Sequence, residues 1–90
     1  MFNQAKMVMQ MKKAQKELAN KIIEIEVGAV KVRIAGDQKL KGVTIDPSQV
    51  DLDDINTLER QVEQAVKEAI DQSQKYAAEK MKPLMGSLGL

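Results

Sequence analysis

The stretch IEIEVGAVKVRIAGDQKLKGVTID, residues 23–46, decides the fold. Ile23, Ile25 and Val27 alternate with Glu24 and Glu26. Val30, Val32 and Ile34 alternate with Lys31 and Arg33, and Val43 and Ile45 close the set before Asp46-Pro47. Period-two alternation marks a strand with one face buried, because successive side chains of extended backbone point to opposite sides. Three strands are expected, over residues 22–27, 30–35 and 39–46. Gly28-Ala29 suits a two-residue type II′ hairpin, in which the first turn position takes φ > 0. Gly36-Asp37-Gln38 makes the second reversal, and the apolar parity slips between Leu40 and Val43 across Gly42, which predicts a bulge. The product is a three-stranded antiparallel meander with one apolar face.

Outward from the meander, both flanks read as helices. Residues 3–21 hold no Gly or Pro, and Met7, Met11, Ala14, Leu18 and Ile22 recur at helical spacing with Lys6, Lys12, Lys13 and Lys16 roughly opposite. Phe2 and Met9 fall among those lysines, so the first turns are apolar nearly all round and call for burial against the second helix and a second subunit. On the other flank, Asp46-Pro47 predicts one capped turn through Val50, and Asp51 or Asp53 is the expected cap of a long helix over residues 53–82. Its apolar line runs Ile55, Leu58, Val62, Ala65/Val66, Ala69/Ile70, Tyr76/Ala77, Met81, with acidic residues in its first turn and Lys80 and Lys82 in its last. Pro83 is expected to stop it, leaving residues 84–90 as a flexible tail.

Lengths then set the architecture. From Asp54 to Lys82 the second helix rises about 43 Å, whereas a six-residue strand covers only about 20 Å. It must cross the sheet and overrun the edge where the first helix ended, so the two helices stand side by side beyond the sheet as an arm. The fold class is α+β: long helix, three-stranded antiparallel meander, long helix, in a single domain spanning 1–90. A chain this small buries only about 60% of its unfolded surface. With one Phe, one Tyr, no Trp and six Met to fill a core, it is expected to work as a homodimer with projecting helical arms.

The chain has no Cys and no His, which removes disulfides, thiolate metal sites and the commonest general base. No apolar run nears the roughly 18 residues that span a bilayer, and no signal-peptide core opens the chain, so a cytoplasmic protein with no membrane partner is expected. Net charge is only +1, but it is sorted along the chain. Residues 1–21 hold five lysines against Glu17. Residues 46–71 hold Arg60 and Lys67 against eight acids, and 72–90 hold Lys75, Lys80 and Lys82 against Glu79. The two basic segments are the two that form the arm.

Lysines clustered on a projecting arm suit the phosphates of a nucleic acid, each contact releasing a counterion. The candidates are Lys6, Lys12, Lys13, Lys16, Lys75, Lys80 and Lys82, with Lys31, Arg33, Lys39 and Lys41 on the sheet as a second group. Their bland alternative is a solubilising face. Without stacking aromatics, single-strand readers are disfavoured, and with arginine only at 33 and 60 base-specific readout lacks its usual tool. Asp46, Asp51, Asp53 and Asp54 lack calcium-loop spacing and are explained by capping, so no metal is expected. Ser48 and Ser73 have no His partner and no nucleophile elbow, so no catalytic residue, cofactor or small-molecule substrate is expected.

Taken in order, Met11-Lys12-Lys13-Ala14-Gln15-Lys16, Val30-Lys31-Val32 leading to Gly36, and Val43-Thr44-Ile45-Asp46-Pro47 form one set. Leu58-Glu59, Val62, Ala65, Ala69 and Glu79-Lys80-Met81 before a Gly-containing tail complete it. Together they resemble the YbaB/EbfC family of bacterial nucleoid-associated proteins. The resemblance implies a small cytosolic, nucleoid-associated homodimer whose helices project like tweezers and which binds duplex DNA with little sequence preference and without catalysis. Bridging or compaction of DNA, or modulation of transcription, would follow from two arms. One departure is the link between the first two strands, commonly longer and glycine-rich in that family and here only Gly28-Ala29. The competing expectation is an adaptor that binds another protein through its Met-rich helix surfaces.

Overall fold

The computed structural model describes residues 4–87, with only the backbone of Ser87. Its order is α1 (Gln4–Asn20), β1 (Ile22–Val27), β2 (Val30–Ala35), β3 (Leu40–Ile45), a 3₁₀ turn (Pro47–Gln49) and α2 (Ile55–Ser87). The strands form one antiparallel sheet in the order β1-β2-β3. The sequence expectations for Phe2 and Asn3 and for residues 88–90 lie outside the described residues.

Register follows the alternation. Ile25 stands opposite Val32, Val27 opposite Val30 and Ile23 opposite Ile34, so β1 and β2 put their apolar residues on one face. Gly28 has φ +54 while Ala29 does not share the positive sign, the combination a II′ turn requires. The turn is held from two sides: the Ala29 N–H donates to Gln61 Oε1 at 3.3 Å, and the Asp46 N–H donates to the Ala29 carbonyl at 2.8 Å. Between β2 and β3 the register shifts, Arg33 facing Gly42 but Ile34 facing Leu40, which leaves Lys41 as the extra residue of a bulge.

The second turn solves its geometry differently from the first. Its positive φ falls on Gln38 (+69), not on Gly36. Gly36 is required by proximity instead, since a Cβ there would lie 2.8 Å from the Leu18 carbonyl oxygen and 2.8 Å from the Tyr76 ring. Its N–H donates to the Lys21 carbonyl at 2.9 Å. The end of α1, the end of β2 and the middle of α2 therefore meet at one point. The Ser73 hydroxyl, fully buried, donates to the Ala35 carbonyl at 2.7 Å beside it.

The core lies between the sheet and the first half of α2. Ile25, Val30, Val32, Ile34, Ala65 and Ala69 are buried, with Ile23, Val27, Leu58, Val62 and Val66 packed around them. The alanines of α2 let the helix approach closely, and each fully buried valine removes apolar surface worth about 1.5–3 kcal/mol from water. Beyond the sheet α2 packs on α1, where Ala14 and Leu18 are buried. The chain measures 66 × 20 × 11 Å, as the overrun predicts.

Two expectations about α2 are corrected. Its cap is Asp54 rather than Asp51 or Asp53: Asp54 accepts from the Thr57 N–H at 3.3 Å and the Thr57 hydroxyl at 2.6 Å. Asp51 instead closes a small turn by accepting from the Asp53 N–H at 2.9 Å. Pro83 does not end the helix, which continues to Ser87, so residues 84–87 are helical rather than tail and the last turn carries no basic residue. Pro83 cannot donate to the Glu79 carbonyl, but both residues are exposed and water can take that place. Ala77, Met81 and Leu84, all half-buried, keep helical spacing across the proline, and continuing the helix keeps that line intact.

Candidate nucleic-acid interface

The arm is built by α1 and the last turns of α2 running antiparallel. Lys80 Nζ lies 3.5 Å from Glu17 Oε2, fixing their register. At the arm's base the half-buried Tyr76 ring is flanked by two cations, Lys21 Nζ at 5.6 Å and Lys80 Nζ at 5.8 Å from its centroid. Lys21, Ile23, Gln72, Lys75, Tyr76 and Glu79 line an open groove there.

Among the candidate residues, the structure separates cations that are engaged from those that are not. Lys75 pairs with Asp71 at 3.2 Å, Lys31 with Glu24 at 3.7 Å and Lys39 with Asp37 at 4.0 Å. No carboxylate among the described residues pairs with Lys12, Lys13, Lys16 or Lys82, all exposed on the arm. Lys6 is exposed on the same helix. At 100° per residue Lys6, Lys12, Lys13 and Lys16 occupy one sector of α1, away from the buried Ala14 and Leu18. Met9, 71% exposed, sits in that sector. Arg33 lies on the outer sheet face with its guanidinium against the backbone of Gly42, whose absent Cβ would stand 3.0 Å from Nη2. Lys41 is the exposed bulge residue. The sheet cations are thus spread over a separate surface from those of the arm.

Lys21 was not among the sequence candidates. It falls just past the end of α1, and only the fold brings it to Tyr76, on a helix far away in the chain. A helix-phase reading has no signal for that contact.

The opposite end of the molecule is acidic and stays so. Gln49 and Ser48 donate to Asp46, at 2.9 Å and 2.7 Å from their side chains, and hold its carboxyl below the ordinary 3.8. Thr57 does the same for Asp54, and the hydrogen bond and charge of Lys67 lower Glu63. Charge is therefore segregated along the 66 Å axis, negative from the 3₁₀ turn through the first half of α2 and positive on the arm. A polyanion is repelled at one end and attracted at the other. Among the described residues no group of His, Cys, Asp or Glu could hold a metal ion, and no helix is long and apolar enough to cross a membrane.

A model of the YbaB/EbfC DNA-binding family matches residues 1–88. A nucleoid-associated protein of Ruminiclostridium cellulolyticum is 38% identical over 86 residues, covering 93% of this chain and 75% of that relative. One from Saccharopolyspora erythraea is 41% identical, covering 93% and 74%. One from Chloroflexus aurantiacus is 38% identical, covering 88% and 81%. In structure the chain is similar to an uncharacterized protein of Helicobacter pylori, with TM-score 0.69, 20% identity, and coverage of 93% of this chain and 86% of that one. At that identity the likeness concerns the fold.

Proposed function

The chain belongs to the YbaB/EbfC DNA-binding family, and from that premise we propose that it is a non-enzymatic, nucleoid-associated protein gripping duplex DNA by its phosphates, with little sequence preference. The observation that carries this reading is the arm: Lys12, Lys13, Lys16 and Lys82 project there without an internal carboxylate, at the far end from the acidic body. Lys6 extends the same sector. Lys75 and Lys80 join them by exchanging exposed ion pairs, worth little in water, for phosphate contacts. Lys31, Arg33, Lys39 and Lys41 form a secondary surface. Two arms in a homodimer would bridge or compact DNA and so modulate its transcription, in the cytoplasm and on the nucleoid, with no cofactor, metal or small-molecule substrate.

The test is fluorescence anisotropy of a random duplex of about 30 base pairs, titrated at low and physiological salt. Saturable, sequence-indifferent binding is expected, with a log–log salt slope of about 0.9 per phosphate neutralised. Replacing Lys12, Lys13 and Lys16 together by Glu should weaken binding by about 100-fold or more and flatten the slope by about 3 × 0.9, with helicity unchanged. Unchanged affinity removes α1 from the contact surface. No binding even at low salt turns the reading to the protein adaptor, whose surface would be the exposed Val8, Met9, Met11 and Met85.

A further inference from the structure

The methionines of this chain are sorted by place as sharply as its charges. They stand at Met1, Met7, Met9, Met11, Met81 and Met85, and residues 12–80 hold none. Met1 lies outside the described residues, and the others all fall on the arm, Met7, Met9 and Met11 on α1 and Met81 and Met85 on the last turns of α2. Secondary structure does not account for the sorting. The first half of α2 meets the sheet with Leu58, Val62, Ala65, Val66 and Ala69, whereas the far half of the same helix runs beside α1 with half-buried Ala77, Met81 and Leu84. Leu and Met are comparable helix formers and close in volume, so neither propensity nor size selects sulfur for the arm alone. What separates them is chemistry. A thioether can be oxidised, and in a chain without Cys it is the readiest target for a two-electron oxidant.

We propose that the arm methionines are a sulfoxidation site, with hydrogen peroxide as the oxidant, and that their oxidation unlatches α1 from α2. The sulfur lone pair attacks one peroxide oxygen, and the S–O bond forms as the O–O bond breaks. The hydroxyl delivered to sulfur gives its proton to the departing hydroxide, which leaves as water, so sulfur loses the two electrons that peroxide gains. Access is graded: Met9, Met85 and Met11 are 71%, 50% and 42% exposed, while Met7 and Met81 are half-buried. Peroxide therefore reaches the outer thioethers without unfolding the chain. The Glu17–Lys80 pair sets the register; outward from it Met11 lies six residues along α1 and Met85 five along α2, so at about 1.5 Å per residue the two stand level. Packing between the helices is thin, since Ala14 and Leu18 are the buried residues of α1. Half-buried Met7 and Met81 thus supply much of the apolar contact, and a sulfoxide there puts a polar oxygen into it. Met9, out among the lysines, consumes oxidant without touching that contact. The core of the body holds no sulfur, so the same dose leaves it intact. Resting on the DNA reading above, unlatching splays the lysines and slackens the grip, and methionine sulfoxide reductases restore it.

The experiment treats the full chain with hydrogen peroxide, maps the oxidised residues by peptide mass spectrometry, and follows amide hydrogen exchange in residues 4–20 and 77–87 of the arm and 30–35 of β2. With Met7, Met11, Met81 and Met85 oxidised, exchange in both arm segments should accelerate about tenfold or more while β2 is unchanged. Oxidation confined to Met9 should leave all three segments alone. Combining Met7→Leu, Met11→Leu, Met81→Leu and Met85→Leu keeps the apolar volume and leaves Met9 as a gauge of dose; this variant should hold its arm protection through the same treatment. Reductases for both sulfoxide epimers should restore the wild-type protection. Protection that survives oxidation of all four residues, Met7 and Met81 that resist peroxide, or an equal loss in the leucine variant overturns the proposal. The anisotropy titration on the same samples separates the two readings. Several-fold weaker binding by the oxidised wild type, with the leucine variant unaffected, supports control of the grip, and equal affinity before and after oxidation overturns it. A chain that never binds the duplex sinks the DNA reading alone, because exchange in the arm is measured without DNA.

Discussion

The two halves of α2 make opposite use of one helix. Its first half, Ile55 to Ala69, lies on a sheet and buries Ala65 and Ala69 in the main core, with acids on the outside. Its second half leaves the sheet at Ser73 and Tyr76 to run along α1, buries little beyond Ser73, and carries lysines outside. Stability is concentrated where the surface is negative, and the candidate binding surface projects from where packing is thin. The division suits the electrostatic grip proposed above, because the lysines of the arm are not also needed to hold the body together.

Substitutions that act on one half and spare the other would sharpen that contrast. Val32→Ala empties a fully buried position under α2 and should cost about 2–3 kcal/mol in chemical denaturation. Met81→Ala, half-buried on the arm, should cost about 1 kcal/mol or less. Equal losses would break the distinction between body and arm. At the joint between them, Gly36→Ala drives a methyl into the Leu18 carbonyl and the Tyr76 ring. It should destabilise by about 1–3 kcal/mol and also weaken DNA binding by tilting the arm, an effect Val32→Ala should lack. Ser73→Ala removes one of two hydrogen bonds to the Ala35 carbonyl, the Gln38 N–H keeping the other. A loss of about 1 kcal/mol is expected in the same denaturation assay.

The smallest effect is on pH. Asp54 is held below its ordinary 3.8 by Thr57, so its contribution to stability is complete above that value and is lost as pH falls through the lower, folded one. Asp54→Asn keeps a capping side chain without a titrating one. Thermal melts from pH 5 down to 2 should show a shallower acid limb for the variant and near-coincident curves at neutrality.

Local patterns were legible; contacts made across the chain were not. Strand parity, the slip at Gly42 and the glycine of the first turn each depend on neighbours in sequence, and each appears in the register and dihedral angles. The arm followed from a length mismatch, which is also local arithmetic. In sequence Gly36 looks like a turn glycine, but its cause is the approach of Leu18 and Tyr76 from two helices. The choice among Asp51, Asp53 and Asp54 as a cap turned on one hydroxyl, that of Thr57. Proline alone predicts a break at Pro83, but the line Ala77, Met81, Leu84 carries the helix past it. Of the lysines, the Asp71 pairing of Lys75 was visible at four-residue spacing, whereas the Glu17 pairing of Lys80 and the place of Lys21 beside Tyr76 exist only after folding.

The arm's antiparallel register has a consequence for biosynthesis. Glu17 leaves the ribosome long before Lys80, and until Lys80 follows, α1 has no helix to lie against. The meander can close on neighbouring residues as it emerges, but the arm must bridge nearly the whole chain. Throughout translation the face of Met7, Met11, Ala14 and Leu18 is therefore uncovered, a transient apolar helix of the kind that chaperones bind.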